Sequence, residues 1–308
     1  MDQPQDAVDR SGKLTRPRCH GDFFLADLLG FALKADATSM EVPIFSLSTR
    51  PDLAIEQWTS QDGKRRITVT PSVLGRATQH DKDVLIYATS QLTAAADLQL
   101  PDAKYRTVRF AAYDFFKTTG RGASGADYRA LKLSLRRLQG TTVTTNISTG
   151  GIQIDEGFGL IDGWRTVASE KRPAMVTAVE ITLSIWLFNA IQSFEVFTLH
   201  KDYFRLRRPL ERRLYELARK HCGRQPAALI GLELLRQKTG SKATLNEFRR
   251  MVREVMIADS LPEYRLLLAQ NDTVTMYTKD HRKMTRAVTK LSELQTSWFR
   301  PPSRGESS

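Results

Sequence analysis

Apolar positions recur at helical spacing in two stretches that share one layout. Tyr128, Leu131, Leu135 and Leu138 fall on one stripe, and Leu245, Phe248, Val252 and Val255 fall on another. Both series run i, i+3, i+7, i+10, which buries one helix face and leaves its flank free. The residues that follow stripe positions are Arg129, Lys132 and Arg136 in the first copy and Asn246, Arg249 and Arg253 in the second. Ser124 and Thr244 read as N-caps, with Asp127 and Glu247 three positions on; the second pair forms a full capping box. Gly120-Arg121-Gly122 and Thr239-Gly240-Ser241 supply tight turns upstream, and a further helical segment precedes each. After each second helix the period becomes extended, over 141–147 and 152–154 around Ser148-Thr149-Gly150-Gly151, then over 264–269 and 273–278 around Gln270-Asn271-Asp272. The predicted unit is helix, turn, helix and a β-hairpin wing, and it occurs twice.

Around these units the pattern is plainer. Residues 1–37 read as a tail with a short amphipathic helix over 22–33, and packing onto its own domain is the simpler role for it. Extended runs at 44–49 and 65–70 open a first domain, 81–92 is helical, and 109–117 reads as a second helix rich in Phe and Tyr. Segments 158–162, 175–183 and 195–199 read as strands, and 184–191 as a short helix. Charge density rises over 200–208, and Pro209 then stands in the favoured first turn of a helix whose core face is Leu210, Leu214, Leu217 and His221. Residues 229–238 are expected to form the next helix. The fold class expected is α+β, two tandem winged-helix domains over 38–199 and 200–280, followed by a basic flexible tail over 281–308.

Composition sharpens this. A chain of 308 residues that is 41% hydrophobic can hold two compact domains. Lys and Arg number 46 against 34 acidic residues, a net charge of +12, which favours a polyanionic partner. The excess is local: 201–224 holds nine basic and three acidic residues, and 236–253 holds six and one. Cys19 and Cys222 cannot build a disulfide framework or a four-ligand zinc site. With no signal-peptide pattern and no apolar run long enough to span a bilayer, a reduced cytoplasm and no membrane contact are expected.

Catalytic readings fail on context. Gly120-Arg121-Gly122-Ala123-Ser124-Gly125 matches the dinucleotide fingerprint, but that site needs a strand before it and a βαβ unit around it. Exposed N–H groups at that helix start could still accept a phosphate oxygen. Asp81-Lys82-Asp83 fits a helix N-terminus better than a metal site. His20, His80, His200, His221 and His281 are scattered, whereas a nicking enzyme would need two closely spaced histidines beside a nucleophilic tyrosine, and there is no phosphate-binding loop for ATP. Neither enzyme chemistry nor a cofactor or metal is expected.

The candidate contacts to double-stranded DNA are Arg129, Lys132, Arg136 and Arg137 on the first basic helix, with Arg207, Arg208 and Arg212 upstream of the second unit. Lys242, Asn246, Arg249, Arg250 and Arg253 complete the set. Asn246 can pair with adenine, and Arg249, Arg250 or Arg253 can make a bidentate contact to guanine. The arginines at 207, 208, 212 and 213 suit phosphates, which position a domain without reading sequence. Leu133 stands where Arg250 stands in the second copy, so the first helix is expected to bind less specifically. The two basic surfaces are expected to face outward together and straddle neighbouring grooves of one duplex.

Several segments carry a resemblance to a known family: Asp22-Phe23-Phe24-Leu25-Ala26-Asp27, Pro43-Ile44-Phe45-Ser46-Leu47, Val69-Thr70-Pro71-Ser72, the run from Asp81 to Tyr87, Arg136-Arg137-Leu138-Gln139-Gly140-Thr141, Leu261-Pro262-Glu263-Tyr264 and, most specifically, the run from Pro209 to Gly223. They resemble the replication initiator A family of bacterial plasmids. The resemblance implies tandem winged-helix initiators that bind repeated origin sites, called iterons. It implies monomers that initiate, dimers that repress their own promoter, a first domain that supplies the dimer contact, and recruitment of the host initiator and replicative helicase in the bacterial cytoplasm. A winged-helix transcriptional repressor with no replication role is the alternative.

Overall fold

The computed structural model describes residues 23–25, 32–60, 63–64, 66–149, 152–168, 170, 175–193, 195–223 and 225–285. The first half runs β1 (Phe23–Leu25), β2 (Lys34–Asp36), α1 (Ala37–Glu41), β3 (Glu56–Thr59), β4 (Arg66–Thr70), α2 (Lys82–Asp97), β5 (Thr107–Ala111), α3 (Ala112–Thr119) and α4 (Gly125–Gly140). It continues through β6 (Thr142–Thr149), β7 (Ile152–Gly159), β8 (Ile161–Ala168), β9 (Val176–Leu183), α5 (Ile185–Gln192) and β10 (Val196–Thr198). The second half is α6 (Pro209–His221), β11 (Ala227–Gly231), α7 (Leu232–Thr239), α8 (Leu245–Ala258), β12 (Tyr264–Leu268) and β13 (Thr273–Thr278). The fold is α+β.

One order of elements occurs twice. In the second half α6, β11, α7 and α8 lead into the β12–β13 hairpin, and the sheet order is β11-β13-β12. In the first half α2, β5, α3 and α4 lead to a sheet with the order β5-β9-β8, extended by β1 on the far side of β5. The hairpin that answers to β12–β13 is therefore β8–β9. The hairpin expected as the first wing does form, with Ile147 opposite Ile154, but it joins β4 and β3 in a separate sheet of order β3-β4-β6-β7. It is an insertion between α4 and β8. Its turn at 150–151 lies outside the described residues.

The repeated turns have a common cause. Gly120 closes α3 at φ +63° and Gly240 closes α7 at φ +71°, a left-handed conformation that costs glycine nothing. In each turn the next N–H reaches back to an orphan carbonyl, Arg121 to Phe116 at 2.9 Å and Ser241 to Arg236 at 3.2 Å. The caps are as expected in place, and the reciprocal box sits at the first: Asp127 accepts from the Ser124 N–H at 2.8 Å and from its hydroxyl at 2.5 Å. At α8 the Thr244 hydroxyl accepts from the Glu247 N–H at 3.3 Å.

Two expected helices begin later than their sequence pattern. β5 occupies 107–111 and β11 occupies 227–231, so α3 and α7 start at Ala112 and Leu232. Each strand runs straight into its helix, and no proline marks the change of period. β3 was not expected, and 44–49 is not a strand; Ser46 makes one isolated bridge to Thr78.

The division of the chain also shifts. One core gathers Val84, Phe110, Phe115, Leu131, Leu135 and Val179; the other gathers Leu214, Leu217, Leu235, Phe248, Val252 and Met276. Leu33, Ala35 and Met40 belong to the second core, and β2 pairs antiparallel with β10. Residues 34–36 are thus an ordered strand and not part of a tail. Of the helix expected over 22–33, most lies outside the described residues, and Phe23–Leu25 is a strand. The expected tail beyond 285 lies outside them as well.

α2 and α6 face each other between the cores. Every residue of α6 from Leu210 to Ala218 is buried, Glu211, Arg212, Arg213 and Glu216 included. The junction is therefore built from charge. Arg212 and Arg121 both pair with Asp83, the latter at 2.6 Å. Lys82 pairs with Glu216 at 2.9 Å, and Glu216 also takes Arg213 at 3.2 Å and the Tyr203 hydroxyl at 2.7 Å. Burial pushes the Glu216 carboxyl up, but Lys82 and Arg213 hold it below the ordinary carboxylate value. Asp81-Lys82-Asp83 does open a helix, and it is also where the halves interlock.

Candidate nucleic-acid interface

On α4 the apolar stripe is buried as expected and the flank is open. Arg129 and Arg136 are exposed and Lys132 is half-buried; none has an ion-pair partner among the described residues. Leu133, between them, is 40% exposed. Arg137 departs from this set. Its Nε and Nη2 donate to Asp81 at 2.7 Å each, and Ser134 donates to the same carboxylate at 2.5 Å. Burial pushes Asp81 up, but Arg137 holds it below its usual range, so the guanidinium clamps α4 onto α2. Two of its five donors are thus committed to the α2 N-terminus.

On α8, Phe248, Val252 and Val255 are buried while Asn246, Arg250 and Arg253 are exposed. Arg250 pairs with Glu254 and lies 3.8 Å from Glu247. Arg253 has no ion-pair partner among the described residues. Arg249 is framed: Asp272 accepts from its Nε at 2.9 Å and its Nη2 at 2.7 Å, and Asn246 Oδ1 accepts from its Nη1 at 2.6 Å. Those hydrogen bonds lift the Arg249 pKa and lower that of Asp272. Lys242 is exposed but bridges to Asp52 at 2.6 Å, where burial is outweighed by Lys242, Ser46 and Arg76 and the carboxyl falls to about 2.

Upstream, Arg207 and Arg208 are exposed. Arg207 Nη2 reaches the Gly120 carbonyl at 3.4 Å, and Arg208 Nη1 is 3.9 Å from Glu254. Arg212 contradicts the expectation. Its side chain is 2% exposed and is spent on Asp83, the Leu206 carbonyl at 2.7 Å and the Gln79 carbonyl at 3.4 Å. Arg213 is likewise interior, with Glu216 and backbone carbonyls. A guanidinium sealed in the interior cannot reach a phosphate, so both leave the set of DNA contacts.

Two residues of this surface escaped the sequence reading. Asp272 was noted only as turn chemistry, because its partner lies 23 positions away on α8. Ile257, 86% exposed, continues the outward stripe of Asn246, Arg250 and Arg253 at helical spacing. Among the described residues no group of three or more His, Cys, Asp or Glu is placed to hold a metal ion, and no helix is long and apolar enough to cross a membrane.

The geometry defines an α+β protein with two helix–turn–helix units, each with an antiparallel hairpin in the same topological place and an arginine-bearing helix on the outside. The family model of replication initiator protein A matches residues 34–266, and the chain belongs to that family. A Wigglesworthia glossinidia brevipalpis protein that carries the name of a replication protein is 34% identical over 248 residues, 80% of this chain and 88% of that one. Two crystal structures containing domains 2 and 3 of RctB share the fold at 14% identity: one has a TM-score of 0.56 over 79% of this chain and 98% of the other, the second 0.52 over 82% and 100%.

Proposed function

We propose that this protein is a plasmid replication initiator whose two halves are winged-helix units, and that it binds iterons in the duplex DNA of its origin. The observation that carries this is α8: its inner face is locked into the second core, and its outer face presents Asn246, Arg249, Arg250 and Arg253 beside a three-stranded sheet of order β11-β13-β12. A helix so placed can enter the major groove while the hairpin follows the backbone. Arg129, Lys132 and Arg136 on α4, with Arg207 and Arg208, supply phosphate neutralisation, which is most of the affinity and none of the sequence reading. The protein acts by binding and not by covalent chemistry. Family membership supports the remaining steps: opening of the adjacent origin segment, recruitment of the host initiator and helicase, and repression of its own promoter as a dimer held through the first half.

Footprinting of the full chain on the origin of the plasmid that carries it tests the reading. Protected repeats of about two helical turns each are expected. Protection of one promoter palindrome with the origin bare would favour the repressor instead.

A further inference from the structure

We propose that Asn246, Arg249 and Asp272 form a single guanine-reading unit, in which Arg249 touches the base and the other two are positioning residues. The inference rests on the proposed seating of α8 in the major groove and names what that helix reads there.

A guanidinium has five N–H donors. Asp272 takes one on Nε and one on Nη2, the side edge of the fork, and Asn246 takes one on Nη1. Two remain, one each on Nη1 and Nη2. In the proposed complex Asn246 holds the Nη1 hydrogen on the Cδ side, which leaves the end edge between Nη1 and Nη2 for guanine O6 and N7. An amide nitrogen cannot accept from a guanidinium, so the Asn246 oxygen faces Arg249 and gives it one of its two lone pairs.

Asp272 is itself held from behind. It sits in the β12–β13 turn at φ +57°, and its carbonyl accepts from the N–H of Leu232, the first residue of α7, at 2.8 Å. Its backbone is thus tied to the junction of β11 and α7, which fixes where the carboxylate starts from. Such support behind a contact residue narrows the geometries it can adopt. The other two arginines lack it: Arg250 is drawn to Glu254 and Glu247, and Arg253 has no ion-pair partner among the described residues. A carboxylate 38% exposed on a DNA-facing surface also repels phosphate, which gives the proposal a signature of opposite signs.

The test is selection from a randomised duplex library with the full chain, followed by titration of the selected and the random duplex. Wild type is expected to select guanine at one position, and Arg249→Lys, which keeps the charge and loses the fork, to lose that preference roughly 5- to 150-fold. Asp272→Asn suits the left-handed backbone. It is expected to lose the same preference while binding random duplex equally or more tightly, and Asn246→Ala to lose it in part. Full retention of the preference in both Asp272→Asn and Asn246→Ala would overturn the unit, as would an equal weakening on every sequence. A wild type that selects no sequence would overturn the α8 reading itself, a separate failure.

Discussion

Arg212 donates to Asp83 where the two cores meet, and the two side chains are 2% and 1% exposed. One lies on α6 and the other on α2, and Arg121 from the α3–α4 turn joins them on the same carboxylate. Charge at this junction fixes how one half sits on the other. Arg212→Met would leave Asp83 buried with half its partners, which costs about 3–5 kcal/mol. Chemical denaturation should show that loss. The salt dependence of DNA binding should not change, and a shallower slope with undiminished stability would return Arg212 to the DNA surface.

Arg129 and Arg136 should behave in the opposite way. Each is exposed without an ion pair among the described residues, so each Ala substitution should leave stability nearly unchanged and reduce the slope of log K against log salt by about 1, on specific and random duplex alike. Arg137→Ala is the internal control from the same helix. It should destabilise the protein by releasing Asp81, with the slope intact.

These contrasts mark what was legible in the sequence. The turns at Gly120 and Gly240, the caps at Ser124 and Thr244, and the stripes of α4 and α8 are local, so spacing alone located them. Pairing between strands is not local. The 142–159 hairpin was visible as a hairpin, but nothing in its own residues says that it joins β4, or that β8–β9 takes the place beside β5. Charge misled for a related reason. Arg137 and Arg212 look like Arg129 and Arg136 in a one-dimensional pattern, and their carboxylate partners Asp81 and Asp83 stand more than fifty positions away. Burial of α6 from Leu210 to Ala218 hid in the same way, since its ion pairs let a charged sequence occupy an interior.

Glu41 gives the structure a pH dependence. Burial pushes its carboxyl up, but Lys238 and Lys220 outweigh that and hold it at about 2, against an ordinary 4.5. A depressed folded-state pKa adds stability that is complete above about 4.5 and disappears as pH falls toward about 2. With its partial exposure discounted, Glu41→Gln should cost about 2 kcal/mol at neutral pH. Denaturation at a series of pH values should show the gap between variant and wild type closing between these limits; a gap that stays constant would mean the side chain acts through packing alone.

The last prediction concerns two arginines that the sequence treats as equals. Arg250 shares α8 with Glu254 and Glu247, and Arg208 also points at Glu254 from 3.9 Å, so one carboxylate holds down two candidate phosphate contacts. Arg253 carries no such restraint. Arg253→Ala should therefore weaken duplex binding more than Arg250→Ala, because DNA must compete with an existing ion pair for the second. Glu254→Gln removes a repulsive charge and releases both neighbours, and an exposed pair of this kind contributes little to folding. Its affinity for duplex DNA should rise roughly two- to tenfold at fixed salt, with the salt slope steeper than in wild type. Fluorescence anisotropy on labelled duplex would measure it. If Glu254→Gln binds DNA no better, the outer face of α8 does not approach the phosphate backbone, and the proposed docking must be sought elsewhere on the molecule.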